Sequence, residues 1–524
     1  MQRRRMPVLS LLALLVLVMA ACTAPAAQPA APAEGGEAAA SGPQPGGTLN
    51  LSFGDDFVTF HPFYDVTNAD FKPIFFEAPL RISDDGGFEP WLAESVEPAE
   101  DGLSVTIRLR QGIKFHNGRE VTADDLIWSV DLARNQEIGH HLGDRFQTAT
   151  GAEKIDDYTV RITYSERTAS QLDAIARLYL FPQEAAETID TVPVGTGPFK
   201  FVEWIPGDSV TAERFEDYWQ EGLPYLDRVV IKAIPDVQAR QVNLQSQAID
   251  LLMYLPLSDK QAMEAEEGII VGEAPPGFSF YAFIMNINAP PFDDVRVRQA
   301  FQYAIDREEI ANTAFHGEAT PLLIPYPPTS WVYPEDLENY YTHDPERARE
   351  LLAEAGYPDG FSVEMLIRGT EDAHLDQAQV FQQQLAEIGV QVELLPTELP
   401  QYWPLLFESQ FQIVSHKTGD ATVDPSGLFE AAACCRPFRS FFGIQDRTED
   451  WFIEYRDVIN RARESNDQEE RAQLYHRALE IWLEQAWTIP TVWEQDVYAY
   501  WDYVQGLRTD MDGSLWLHET WLNR

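Results

Sequence analysis

Cysteine is scarce in this sequence, which contains three among 524 residues. After Cys22 the other two are the adjacent Cys434 and Cys435, so no disulfide framework can support the fold. A regular disulfide joins Cα atoms about 5.5 Å apart, which neighbouring residues reach only in a strained ring. We therefore expect two packed thiols at these positions, with the ring as the alternative.

Catalytic signatures are also missing. The sequence has no G-x-S-x-G, H-E-x-x-H or C-x-x-C motif and no P-loop. His140, His141 and Asp144 suggest a metal site, but neighbouring side chains seldom point at one ion. We therefore expect no catalytic residue, no metal and no cofactor. A secreted hydrolase is the most distant of the functions considered.

Positive charge is scarce as well. Lys and Arg number 38 against 84 Asp and Glu, which gives a net charge of -46. A field of this sign repels nucleic acid and anionic lipid, so no nucleic-acid partner is expected. Otherwise, so large a charge mainly indicates solubility.

The amino-terminal residues 1–21 have the organisation of an export signal. Arg3, Arg4 and Arg5 precede the apolar run 8–18, and small residues follow. The stretch that ends at Cys22 resembles a bacterial lipobox, which implies cleavage before this cysteine and lipidation of its sulfur. An ordinary signal cleaved near Ala21 is the alternative.

Residues 22–47 are predicted to be the lipidated cysteine and a flexible tether. After Cys22 the segment has no aromatic or large aliphatic residue, so it cannot bury enough surface to offset the entropy of ordering. Downstream of the leader, no stretch approaches the ~20 apolar residues that span a bilayer. We therefore expect an extracytoplasmic protein anchored by lipid to the cell membrane, either in the periplasm or on the outer face.

The remaining chain has local patterns of both helices and strands. At 59.4 kDa it is too long for one core, so two or three lobes are expected. Apolar and polar residues alternate through 104–109, as in a half-buried strand. Thr122 with Asp125 forms a capping-box pattern, and Asp344 before Pro345 is typical of a helix start. Residues 373–388 are predicted to be helical.

Several blocks resemble the family 5 extracellular solute-binding proteins of ABC importers, the dipeptide and oligopeptide binders. The blocks follow the family order across nearly the whole mature chain. They are PWLAESVEPAEDGLSVTIRLRQGIKFHNGREVTADDLIWSVDLARN (90–135), VGTGPFKFVEWIPGDSVTAERFEDYW (194–219), ARQVNLQSQAIDLL (239–252), NINAPPFDDVRVRQAFQYAIDREEI (286–310) and DPERARELLAEAGYPDGF (344–361).

The resemblance implies an α/β, bilobed periplasmic-binding-protein fold of the large type with an extra subdomain (cluster C, class II-like). It also implies that ligand lies between the lobes and passes to the permease and ATPase subunits of the importer. We expect a monomer. The implied division is lobe I from 48–77, 189–285 and 495–524, an inserted subdomain of lobe I from 78–188, and lobe II from 286–494.

Two strand ends are the candidate ligand-binding positions. In FQIVSHKTGDATVDP (411–425) an apolar run precedes Thr418, Gly419 and Asp420, and in MLIRGTED Arg368 follows another apolar run. A peptide needs a fixed cation for its carboxylate and a fixed anion for its amine, and an arginine fork suits the carboxylate. From residue type alone, the alternatives are an ordinary turn for Asp420 and a surface ion pair for Arg368.

The resemblance assigns roles to these residues. Arg368 resembles the carboxylate-binding arginine of the dipeptide-binding branch, and Thr418, Gly419 and Asp420 resemble its Thr-Gly-Asp, whose aspartate holds the ligand's amino group. Lys417 departs from that branch, which has tryptophan there, and the spacer from Asp420 to the next Asp-Pro pair is one residue longer. A lysine beside an amine site repels the amine or neutralises Asp420. The roles implied for Arg368 and Asp420 make peptides the first expectation. Because of Lys417, an oligosaccharide or another small solute is the alternative.

Overall fold

The computed structural model describes residues 42–64, 69–83, 87–135, 141–167, 170–275, 279–326, 328, 330–369, 372–418, 425–433, 444, 447–465, 467–511 and 513–524. The chain divides into Met1–Gly42 and Pro43–Arg524, and every element below belongs to the second unit. The predicted signal (1–21) and Cys22 lie outside the described residues, as do Gly419, Asp420 and the Cys434–Cys435 pair.

A seven-stranded mixed sheet organises the described residues before 276 together with those near the carboxyl terminus. Its central strand Thr48–Phe53 lies parallel to Arg228–Ala233 on one side and to Leu251–Leu252 on the other. In spatial order the strands are Ile269–Glu273, Val497–Trp501, Leu251–Leu252, Thr48–Phe53, Arg228–Ala233, Ser209–Arg214 and Phe199–Ile205.

The segment 78–188, predicted to be an inserted subdomain, contains a four-stranded antiparallel sheet. Its strand Ser104–Leu109 alternates buried and less buried residues, as the sequence pattern predicts. Val105 and Ile107 nevertheless share one hydrophobic core with Leu49 and Leu51 of the seven-stranded sheet. The strands lie in the order Ala93–Pro98, Ser104–Leu109, Thr159–Tyr164 and Ala149–Asp156.

A six-stranded mixed sheet organises residues 279–493. Alternate side chains of its strand Phe280–Met285 enter two different hydrophobic clusters, so both faces of the sheet are covered. Small two-stranded sheets complete the described strands: Leu80–Ile82 with Phe88–Pro90, Val504–Gln505 with Trp521–Leu522, and Arg508–Thr509 with Leu515–Trp516. The six strands lie in the order Thr320–Pro321, Thr488–Trp493, Phe280–Met285, Ile413–Thr418, Phe361–Arg368 and Val390–Thr397.

The strand Phe280–Met285 differs from the expected division, which assigned residues up to 285 to lobe I. It pairs with Ile413–Thr418 on one side and with Thr488–Trp493 on the other, both in the second sheet. All its residues are buried, and a strand of this kind needs a neighbour on each edge and cover on each face. We therefore propose that the boundary falls within 274–279.

Helices cover these sheets, and their ends follow local sequence signals. Asp344 accepts a hydrogen bond from Arg347 N (2.9 Å), and Asp125 accepts one from Thr122 N (2.9 Å), so both predicted starts are capped. No described helix is long and apolar enough to cross a membrane. The helices are Lys72–Phe75, Ala123–Arg134, Gln171–Ala176, Val237–Gln245, Lys260–Glu264, Val295–Ala304, Arg307–Ala314, Pro345–Glu354, Asp372–Glu387, Leu399–Phe407, Ser426–Ala433, Asp450–Glu464 and Gln468–Gln485, with 3-10 turns at Ala69–Phe71, His141–Phe146, Gln183–Ala185, Leu257–Asp259 and Glu335–Leu337.

Glu77 joins the inserted segment to the seven-stranded sheet. Its fully buried carboxyl group accepts hydrogen bonds from four side chains: Tyr218 Oη (2.7 Å), Trp91 Nε1 (2.8 Å), Thr196 Oγ1 (3.0 Å) and Trp219 Nε1 (3.0 Å). Burial raises the pKa of Glu77 to about 7, although these hydrogen bonds oppose the rise. Glu77 is therefore a polar connection inside an otherwise apolar core.

His116 makes a second buried connection at the same junction. Its Nε2 lies 2.9 Å from Gly197 O, and its Nδ1 accepts a hydrogen bond from Gly195 N at 3.3 Å. Burial lowers the pKa of His116 to about 4. A Cβ at Gly197 would lie 2.6 Å from the carbonyl carbon of Phe75, so this close backbone approach requires glycine.

Candidate functional site

Two crossovers connect the sheets in the part of the chain that the structure describes. The first follows Ile269–Glu273 and leads into Phe280–Met285, and the second, 494–496, joins Thr488–Trp493 to Val497–Trp501. Ala274 N donates to Asp496 O (2.9 Å), and Gln495 Nε2 donates to Ala274 O (2.9 Å). The two crossovers are therefore hydrogen-bonded to each other at Ala274.

A cavity of about 760 Å³ lies beside the crossovers. This volume is typical of a small-molecule site. Residues from the regions of both sheets line this cavity, and we call the cavity the cleft. The lining includes Gly54, Asp55, Arg240 and Tyr254 from the region of the seven-stranded sheet, Tyr281, Arg368, Asp376 and Lys417 from the region of the six-stranded sheet, and the second crossover.

Arg368 is the last residue of Phe361–Arg368 and lines the cleft. This strand lies parallel to Ile413–Thr418, with Ile367 opposite Ser415. The carboxyl ends of the two strands consequently meet at one edge of the sheet. The Arg368 guanidinium also lies 5.7 Å from the ring centroid of Trp403, which supports it from the helix Leu399–Phe407.

Thr418 ends the neighbouring strand, beside Arg368 as expected. It is buried and pairs with Phe280 in the antiparallel register. The next two predicted residues, Gly419 and Asp420, lie outside the described residues, so the amine-binding half of the predicted pair stays a prediction.

Lys417 faces the cleft. Its Nζ lies 3.4 Å from Glu494 Oε2 and 3.7 Å from Asp496 Oδ1, and 5.3 Å from the ring centroid of Tyr281. Two carboxylates of the second crossover therefore balance its charge. The repulsion that a lysine would exert on a bound amine is correspondingly reduced.

Arg240 forms part of the opposite wall and was not among the predicted site residues. Its side chain is only 6% exposed, and Nη1 donates to Ile234 O at 3.1 Å. Burial lowers the pKa of Arg240, while the nearby Asp55 and Asp236 oppose this shift. A Cβ at Gly54 would lie 2.5 Å from Nη1, so glycine leaves room for the guanidinium.

A buried polar network lies in the region of the six-stranded sheet. Its residues are close in sequence to Asp376 and Lys417, which line the cleft. Ser415 Oγ lies 3.0 Å from both His374 Nδ1 and Gln377 Nε2. Thr491 Oγ1 lies 2.8 Å from Gln377 Oε1 and 3.0 Å from Tyr281 O. The network joins three adjacent strands to one helix just behind Arg368 and Lys417, and so fixes their backbone.

Two ion pairs connect the two regions, and the first lies at a rim of the cleft, two residues from Ser258 and His316 of its wall. Lys260 Nζ lies 2.7 Å from Glu318 on the other side and 2.7 Å from Glu273 at the first crossover. Arg463 Nη2 lies 3.5 Å from Glu166. In this structure ion pairs therefore bridge the two regions at two places.

The family model of the bacterial extracellular solute-binding proteins, family 5 Middle, matches residues 87–439 of this sequence. The match covers more than half of the chain and includes the strand ends at Arg368 and Thr418. The chain belongs to family 5 of the extracellular solute-binding proteins. Family 5 membership places the working protein outside the cytoplasm.

Two curated relatives extend the family 5 likeness over most of the chain. The heme-binding protein A of Haemophilus influenzae is 31% identical over 77% of this chain and 78% of its own length. The glutathione-binding protein GsiB of Salmonella typhimurium LT2 is 30% identical over 86% of this chain and 90% of its own length. Both relatives are named for the solute that they bind, and the two solutes differ.

A solved structure agrees with the family 5 fold. The periplasmic binding protein AgaA of A. tumefaciens R10, in complex with agropinic acid, is 26% identical, with a TM-score of 0.80 over 91% of this chain and 99% of the other. The α/β, bilobed fold predicted from the sequence is confirmed.

Among the described residues, no group of three His, Cys, Asp or Glu side chains is placed to hold a metal ion. His140 and the side chains of His141 and Asp144 lie outside the described residues.

The sequence analysis did not predict that Arg240, Glu494 and Asp496 line the cleft. Arg240 lies in a family-like block, yet nothing in that block shows that its helix borders the cleft.

Proposed function

We propose that this protein is the solute receptor of an ABC importer and binds peptides in the cleft. The observation that carries the proposal is the cavity of about 760 Å³ between two sheets joined by paired crossovers, with Arg368 in its wall. Paired connections of this kind allow two lobes to close over a ligand by hinge motion.

Peptide termini fit the charges at the strand ends. Arg368 would bind the terminal carboxylate, because a planar guanidinium donates two parallel hydrogen bonds to it. Asp420, two residues after the described end of the neighbouring strand, would bind the amine. Glu494 and Asp496 support this arrangement, since they balance Lys417 where it would otherwise repel the amine.

The relatives support a small organic solute and leave a second candidate. Glutathione is itself a peptide, which favours peptide binding. Heme and agropinic acid are not peptides, so another small solute, including an oligosaccharide, is the alternative. The aromatic side chains Phe53, Tyr254 and Tyr281 in the cleft wall favour it, because they offer faces for a ring.

The wider assignments follow from the same proposal. Lobe I would comprise 48–77, the inserted subdomain 78–188, 189 to the first crossover, and 495–524. Lobe II would occupy the remainder. The receptor would be a monomer tethered by lipid at Cys22, and it would deliver its solute to permease subunits whose ATPase partners supply the energy.

Titration calorimetry of the wild-type protein with a library of di- and tripeptides tests the proposal. Arg368→Ala and Asp420→Ala should each weaken peptide binding by about ten-fold or more, which is about 1.4 kcal/mol. Arg161→Ala, at an exposed position of the four-stranded sheet, is the matched control and should leave affinity unchanged. Unchanged affinity in both cleft variants would refute the peptide-terminus model.

A further inference from the structure

Lys417 touches both the cleft and the connection between the two sheets. It lines the cavity and stands opposite Tyr281, the second residue of the strand that the first crossover enters. Its Nζ approaches Glu494 and Asp496 of the second crossover at 3.4 and 3.7 Å. One side chain thus joins the ligand-binding strand to the segment about which the lobes would turn.

The geometry makes this contact sensitive to the angle between the sheets. Lys417 moves with the six-stranded sheet, whereas Asp496 is hydrogen-bonded through its backbone to Ala274 at the margin of the other sheet. Rotation at the crossovers changes their backbone torsions and so changes the distances from Lys417 to the two carboxylates. Both distances exceed the 2.7–2.9 Å of an optimal charged hydrogen bond, so a small rotation strengthens or breaks the pair.

We propose that Lys417 is a positioning residue that couples the cleft to the hinge by pairing with Glu494 and Asp496 in the arrangement seen here. The inference rests on the proposed receptor function, in which closing of the lobes accompanies binding. Its consequence is that the pair favours the bridged arrangement, in which Lys260 also reaches Glu318 across the rim. Charge on the second crossover therefore contributes to ligand affinity through the angle between the two sheets.

Hydrogen exchange measured by mass spectrometry on the ligand-free protein tests the coupling directly. Lys417→Met keeps most of the side-chain stem beside Tyr281 but removes the charge, and Glu494→Gln removes the charge of the nearer carboxylate partner while leaving Lys417 in place. At low salt each variant should exchange roughly three- to five-fold faster in peptides covering 268–275 and 494–500, the effect of a partly exposed ion pair. High salt should remove the difference from wild type, because it screens the pair.

Two further variants separate coupling from general loosening. Lys417→Glu combined with Glu494→Lys should restore slow exchange at the crossovers, since the pair is rebuilt in reverse. Lys114→Met breaks the exposed pair with Asp217 (3.0 Å) in another part of the fold and should leave exchange at the crossovers unchanged. Unchanged exchange in both single variants at low salt would overturn the proposal, as would an effect of Lys417→Met that Glu494→Gln and Asp496→Asn do not share.

These outcomes are separable from those of the peptide proposal. Exchange is measured without ligand, so accelerated crossovers in a protein that binds no peptide would support the coupling and reject peptides as the solute. Titration of any peptide that binds wild type should then show about the same three- to five-fold loss of affinity in Glu494→Gln, mainly as faster dissociation. A loss confined to Lys417→Met would identify a direct ligand contact and overturn the coupling.

Discussion

Glu77 and His116 in the region of the seven-stranded sheet are buried away from the cleft, whereas Ser415 and Gln377 in the region of the six-stranded sheet are buried directly behind it. Glu77 and His116 tie the inserted segment to its neighbour, and neither lines the cavity. Ser415 and Gln377 lie one or two positions from Lys417 and Asp376, which do line it. The difference indicates that the first set assembles the fold and the second set positions the site.

Glu77→Ala should show most clearly that Glu77 stabilises the fold and does not position the site, because it should have the largest effect on the free energy of unfolding. Four donors would lose their buried acceptor, and such a loss costs about 3–5 kcal/mol of the free energy of unfolding. The fraction that stays folded should bind solute with unchanged affinity. Denaturant titration and calorimetry on the same samples provide both quantities.

Glu97→Ala, at an exposed position in the four-stranded sheet, is the control for that experiment and should change stability by less than about 0.5 kcal/mol. A large loss of affinity in folded Glu77→Ala protein would break the comparison, because it would give the distant polar group a role at the site.

Glu77 and His116 should also give the first region two opposing pH dependences. The pKa of Glu77 is raised from 4.5 to about 7, so the stability from its neutral form is present below pH 4.5 and is lost as pH rises through 7. The pKa of His116 is lowered from 6.5 to about 4, so the stability from its neutral form is present above pH 6.5 and is lost as pH falls through 4. Each contributes at most about 3 kcal/mol.

Single variants reveal these two dependences. Between pH 4.5 and 6.5, the excess stability of wild type over Glu77→Gln should fall as pH rises. In the window from pH 4 to 6.5, the excess over His116→Gln should instead grow as pH rises. Chemical denaturation at several pH values measures both. Two parallel curves would contradict the assignment of these shifts to burial.

Thr491→Val should have a smaller effect on stability and a visible effect on binding. It removes the hydroxyl that joins Gln377 to the backbone of Tyr281, at a cost of about 1–2 kcal/mol. Since the network fixes the strands that present Arg368 and Lys417, affinity should fall about three-fold or more. A three-fold loss corresponds to roughly 0.7 kcal/mol of binding free energy. Calorimetry of folded protein measures the loss.

Thr150→Val, which removes an exposed hydroxyl near Thr163 of the four-stranded sheet, is the matched control and should affect neither stability nor affinity. If Thr491→Val alters stability alone, the network behind the cleft serves the fold only, and the two regions do not differ in the way described above.

The sequence predicts elements well where a local signal decides them. The pattern Asp344–Pro345 marks the start of the helix Pro345–Glu354, and alternation marks the strand Ser104–Leu109. The strand Phe280–Met285 was placed in the other lobe, because six buried residues contain no signal for which sheet they join. That choice is made by pairing with strands more than a hundred residues later.

The candidate site divides in the same way. Arg368 and Thr418 follow apolar runs that end at one edge of a parallel pair, so the strand pattern identifies their place. Arg240 comes from a helix of the opposite region, and Glu494 from a crossover. Only the packing of the two regions brings these residues to one cavity, and no local sequence pattern predicts that packing.

Native mass spectrometry of the purified wild-type protein beside Arg368→Ala tests the central claim most directly. The account predicts that wild type carries a solute of peptide mass, or takes one up from the peptide library, and that Arg368→Ala loses it while remaining folded. An undiminished solute in Arg368→Ala, or a wild-type protein that binds no peptide at any concentration tested, would contradict the account.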